Sequence, residues 1–202
     1  MKDIGDVAAL RRFARASGAP VERCSACRAP LPSSHGHRLE AKQRRLECLC
    51  RACATVDDPP GSSWRIVPRR VVELCDFKMG PSDWERLAVP IRLAFFVVSS
   101  VDARAHVFFP SPAGATEAEL DPRSWVELRA QSPEVMALRE DVEALLVHHV
   151  GTARDHYLVS IDVCYRLVGT LRRGWRGFSG GPEVWAEIDV LMDGLRQEGA
   201  GA

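Results

Sequence analysis

The chain has 202 residues, enough for one ordinary domain with a small appendage and too few for two large ones. Lys plus Arg and Asp plus Glu both number 27, so no net field draws the whole chain to nucleic acid or to an anionic membrane. Hydrophobic residues at 46% and charged residues at 27% exclude wholesale disorder, and 13 Pro with 15 Gly point to a loop-rich architecture.

No apolar run reaches the roughly 18 residues a bilayer span requires; the nearest, Ile91 to Val98, contains Arg92 and has the length of a strand. Residues 1–20 read as a short helix, Val7 to Ala16, and a linker at Ser17-Gly18-Ala19-Pro20. The charges of that helix do not suit a secretory signal, so a cytoplasmic address is expected.

Residues 21–56 form a separate unit. They hold five of the seven Cys, together with His35, His37 and seven basic residues against three acidic ones. Cys24-x2-Cys27 and Cys50-x2-Cys53 stand 22 residues apart. Each such pair can turn two sulfurs toward one point, and two pairs complete a tetrahedral thiolate cage. Between them, Arg38 to Ala41 and Arg45 to Leu49 flank Lys42-Gln43-Arg44 as a hairpin, giving a zinc-ribbon-like module. The expected cofactor is Zn²⁺, with iron as the alternative, because both accept four sulfurs.

Three more donors lie in this unit. Cys48 shares strand parity with Cys50 and could replace Cys50 or Cys53, although a small buried thiol is the simpler role. His35 and His37 suit the surface or hydrogen bonds to the thiolates, with direct ligation or a second ion as the other outcome. Cys75 and Cys164 are expected to be inert buried thiols.

Residues 57–63, Asp-Asp-Pro-Pro-Gly-Ser-Ser, read as a hinge, and residues 64–202 as a mixed domain with an antiparallel hairpin or sheet and several helices; the fold class is α+β. Trp64 to Val67 reads as its first strand. A helix over Ser82 to Leu87 follows, with Ser82 and Glu85 as a capping box. Ile91 to Val98 and Ala105 to Phe109 form a hairpin. The Thr116/Glu119 and Ser124/Glu127 patterns predict two short helices, and Ser132-Pro133 opens a long one to about His149. Tyr157 to Ile161 is a strand, Asp162 caps the next helix, and Pro182 opens the last, with an apolar stripe from Val184 to Leu195.

Other constellations carry less. Pro110 to Glu117 could line a pocket but is more simply a strand end and a cap. Ser179-Gly180-Gly181-Pro182, preceded by Arg172, Arg173 and Arg176, could hold an anion but lacks any nucleotide-binding spacing. His148, His149, Asp155 and His156 read as solvated polar ends. No catalytic set can be singled out, so the chain is expected not to be an enzyme. Arg23, Arg28, Arg38, Lys42, Arg44, Arg45 and Arg51 make the cysteine unit basic, but it has no aromatic residue for base stacking, so a protein partner is favoured over nucleic acid.

Several segments together resemble an uncharacterised bacterial family, a domain of unknown function whose genes accompany those of uptake nickel–iron hydrogenases. They are Arg23-Cys24-x2-Cys27, His35-Gly36-His37, Cys48-x-Cys50-x2-Cys53, Pro110 through Glu117, Asp141 through Val147, and Tyr157-Leu158-Val159 with Trp175-Arg176-Gly177. The resemblance implies a hydrogenase subunit or maturation factor as the partner. It carries no established activity to particular residues, so function has to be argued from the site.

Overall fold

The computed structural model describes residues 21–56, 61–87, 89–177 and 180–199; the helix expected over Val7 to Ala16 and part of the expected hinge lie outside them. The protein is α+β, built on two antiparallel sheets. The smaller has the order β2-β1-β3, from β1 (Gly36–Glu40), β2 (Arg45–Leu49) and β3 (Trp64–Ile66). A one-turn helix α1 (Arg51–Ala54) follows β2.

The larger sheet has six strands in the order β4-β9-β8-β5-β6-β7: β4 (Val71–Glu73), β5 (Leu93–Ser99), β6 (Arg104–Ser111), β7 (Gly114–Ala118), β8 (Glu143–His148) and β9 (Asp155–Ser160). Its central strands are apolar without alternation because both faces are covered. Phe95, Leu146 and Tyr157 point to the face packed by α5 (Ile161–Gly174) and α6 (Pro182–Gly199). Phe96, Leu145 and Leu158 point to the other, beneath α2 (Pro81–Arg86), α3 (Pro122–Arg129) and α4 (Pro133–Met136).

The small sheet is anchored to the first of these cores. Leu39 and Val67 belong to the same apolar cluster as Phe95, Leu146 and α5, and the Tyr165 hydroxyl of α5 donates to the carbonyl of Arg44 at the β1–β2 turn. Trp64–Ile66, read from sequence as the first strand of the following domain, instead pairs with β1 through Arg38↔Ile66 and Glu40↔Trp64. The Trp64 ring explains the placement, since it lies under the guanidinium groups of Arg38 and Arg45 at 4.3 and 5.2 Å.

Several expected elements are corrected. The long helix from Pro133 ends at Met136, although Ser132 does cap it by accepting the Val135 amide. Asp141 then turns the chain at a φ of 66°, and Glu143–His148 becomes a central strand, buried throughout. The helix expected at Glu117 to Leu120 is β7, paired with β6 from Val107↔Ala118 to Ser111↔Gly114, and Thr116 hydrogen-bonds Ser111 rather than capping a helix. The capping carboxylate of α2 is Asp83, which accepts the Gly80 amide at 2.8 Å, and Asp121 caps α3. Ser160 is the N-cap residue of α5, which releases Asp162 for another role.

Candidate metal centre

The first cysteine pair sits in a tight turn. The Arg28 amide donates to the Cys24 carbonyl and the Cys24 amide to the Ala29 carbonyl, both at 2.8 Å, and Arg28 takes a left-handed φ of 66° to close the loop. In the second pair Cys50 precedes α1 and Cys53 lies within it; the Ala54 amide donates to the Cys50 carbonyl at 2.9 Å, so the helical turn brings the two sulfurs together. The Ser25 amide donates to the Cys48 carbonyl at 2.8 Å and ties the two turns to each other. Gly36 lets α1 close on β1, since a Cβ there would stand 2.8 Å from that of Ala54.

As a result the sulfurs of Cys24, Cys27, Cys50 and Cys53 all lie within 4.8 Å of one another. Cys27 Sγ and Cys50 Sγ are 3.7 Å apart. That is far beyond the roughly 2.05 Å of a disulfide and matches the edge, about 3.8 Å, of a tetrahedron of thiolates with bonds of about 2.3 Å. All seven cysteines are free thiols. The four sulfurs could therefore hold one metal ion, and Zn²⁺ suits them.

The electrostatics favour a cation. The Cys50 amide donates to the Cys24 sulfur and, against the opposing effect of burial and with help from the Cys27 and Ala26 amides, draws the Cys24 thiol down to about 6. Cys53 is pushed up to about 12, first because its thiol hydrogen-bonds the Cys50, Cys27 and Cys24 sulfurs, then by burial and the charge on Cys24. Bare thiols share a negative charge in this way, and a bound ion would take the place of the shared protons.

A second group of donors lies beside the first. His37 is paired directly with Cys48 across β1 and β2, and His35, just before β1, places its ring 4.7 Å from that of His37. Donor atoms of His35, His37 and Cys48 again fall within 4.8 Å of one another. His37 Nδ1 stands 2.9 Å from Asp162 Oδ2, a contact 125 residues away in sequence that no local signal announces. Burial pushes the Asp162 carboxyl up, but hydrogen bonds from His37 and Ser160 outweigh it and hold the group below its ordinary value. Burial and the neighbouring charges of Glu22, Cys24 and Glu47 push the Cys48 thiol up.

The remaining expectations divide. Cys164 is buried as expected, with its thiol pushed far up by burial, whereas Cys75 is exposed. His148, His149 and His156 are buried rather than solvated. His148 Nδ1 meets Asp155 Oδ2 at 3.1 Å, and His149 Nε2 meets His156 Nε2 at 2.9 Å. Three of the basic residues expected to face a partner have internal contacts: Arg38 with Glu47, Arg44 over the Phe108 ring, and Arg45 over Trp64. Arg23, Arg28 and Arg51 are exposed around the cysteine turns.

Residues 23–199 match the Family of unknown function (DUF5947), and the chain belongs to that family. No curated protein and no solved structure matches it. Among the described residues, no helix is long and apolar enough to cross a membrane.

Proposed function

We propose that this chain is a non-catalytic zinc-binding accessory or docking protein, in which Cys24, Cys27, Cys50 and Cys53 hold one Zn²⁺ and so complete a zinc-ribbon-like module. The observation that carries this reading is the 3.7 Å separation of the Cys27 and Cys50 sulfurs inside a cluster of four. Four thiolates leave a zinc ion no open position for substrate or water, so the site stabilises a surface rather than performing hydrolysis. The exposed Arg23, Arg28 and Arg51 around the turns suit an acidic protein surface. That the partner is a nickel–iron hydrogenase subunit or maturation factor rests on the sequence resemblance alone, and the cytoplasmic address rests on the charged N-terminal stretch.

The same four sulfurs would serve an iron electron carrier, and colour separates the two. Full-length protein purified from its native host is expected to be colourless, to contain zinc, and to co-elute with a second protein. A visible band bleached by dithionite would assign iron and electron transfer instead. A nucleic-acid role predicts binding that weakens steeply with salt, and a flat titration at low salt is expected.

A further inference from the structure

We propose that His35, His37 and Cys48 form a second metal site, distinct from the four-cysteine cluster, that binds one divalent transition-metal ion of the zinc class and keeps a position open to an external ligand. The three donor atoms lie within 4.8 Å of one another, which suits a single ion about 2.0–2.3 Å from each. Strand register places His37 opposite Cys48 across β1 and β2, and the His35 ring, just before β1, packs 4.7 Å from that of His37.

The imidazoles are prepared for ligation. His35 Nδ1 lies 2.9 Å from the Pro32 carbonyl oxygen and His37 Nδ1 lies 2.9 Å from an Asp162 carboxylate oxygen. Both of these partners only accept, so each Nδ1 carries the proton and each Nε2 presents its lone pair. This arrangement, with an acceptor behind each imidazole, fixes the ring orientation and leaves Nε2 as the ligating nitrogen. His35 Nε2 is buried with no hydrogen-bond partner, on a side chain only 7% exposed. A buried nitrogen lone pair without a donor is costly, and a cation between His35, His37 and Cys48 removes that cost.

The nearest carboxylate oxygen to His35 Nε2, from Glu22, is 3.7 Å away and belongs to an exposed side chain. At that distance, on a side chain held out in solvent, it does not fill the fourth position, which stays free for an external ligand. His35, His37 and Asp162 also line a cavity of about 590 Å³, with Arg69, Arg70 and Arg166 among its other walls. Arg69, Arg70 and Arg166 outnumber Asp162 and Glu198 on those walls, so a ligand entering from that side is expected to be an anionic donor such as a carboxylate.

Titration of the metal-free, reduced full-length chain with Co²⁺, a spectroscopic substitute for Zn²⁺, tests this. Two equivalents per chain are expected, one with four-sulfur charge-transfer bands and one with mixed nitrogen and sulfur character. His35→Ala with His37→Ala should leave one equivalent and the four-sulfur bands intact, the latter also showing that the module is folded. Asp162→Asn, which keeps every ligand, should weaken the second equivalent about tenfold. A single equivalent in the wild type that Cys27→Ser removes, or a second equivalent that survives the double His variant, overturns the proposal. A single equivalent removed by the double His variant but not by Cys27→Ser would sustain this site and overturn the four-cysteine reading instead.

Discussion

The two sheets reach stability by different routes. In the large sheet β5, β8 and β9 are apolar on both faces, and residues such as Phe96, Leu145, Leu146 and Leu158 are fully enclosed between two layers of helices. The small sheet has few enclosed apolar side chains of its own, chiefly Leu39 and Leu49, and leans on the large core through Leu39 and Val67. A layered core supports itself, whereas a unit of this size needs a bound ion or a neighbour.

Removing the ion should separate the two regions most clearly. Structural zinc in small thiolate modules supplies on the order of 10 kcal/mol of folding free energy at neutral pH. A chelator is therefore expected to abolish amide protection in β1 and β2 while β5, β8 and β9 keep theirs, as read by hydrogen exchange. Equal loss in both sheets would mean that the small sheet has no independent dependence on metal. The converse perturbation is Phe96→Ala, whose ring is fully buried and stacks on Trp125 at 5.7 Å. It should cost about 3–5 kcal/mol of global stability in denaturant unfolding, without changing the metal content of the folded fraction.

Acid offers a third, intermediate test, this time centred on the large sheet. Burial, with the adjacent positive charges of His156 and Arg154, pulls His149 down to about 4, and burial also lowers His156. The unfolded chain takes up a proton on each near 6.5, before the folded one does. Stability from these groups is thus fully present above pH 6.5 and is lost as pH falls toward about 4. For His149 the effect is at most about 2 kcal/mol after allowance for solvent screening. His149→Gln should flatten the unfolding midpoint between pH 6.5 and 4, and an unchanged slope would remove the buried pair from the account.

The smallest effect lies in the first cysteine turn. Arg28 holds a left-handed φ of 66° that glycine adopts without cost. Arg28→Gly is expected to stabilise the metal-bound module by up to about 1 kcal/mol, measured by thermal unfolding with zinc present. A loss of stability would show that the turn depends on the side chain rather than on the backbone.

What was legible in the sequence follows the range of the forces involved. The β1–β2 hairpin and the two Cys-x2-Cys turns are written in local spacing; β2 forms over Arg45–Leu49 as expected, and β1 starts two residues before the expected Arg38, at Gly36–Glu40. Glu143 to His148 reads as helix because a strand buried on both faces has no period of its own, and Val142, Leu145 and Leu146 also suit a helical stripe. The segment at Gly114 carries a cap-like Thr116-x2-Glu119, yet pairing with β6 outweighs that weak local signal. Asp162 and the burial of His148, His149 and His156 depend on partners from distant segments or on the closing of the large core, and no spacing rule reaches them.

The central claim is that four sulfurs from two separated turns share one ion. Zinc-edge X-ray absorption on the full-length chain carrying His35→Ala and His37→Ala isolates that ion from the neighbouring donors. The expected spectrum has one zinc per chain with four sulfur neighbours at about 2.3 Å. A nitrogen- or oxygen-dominated shell, or a chain that holds no zinc because the cysteines have paired as disulfides, would contradict it.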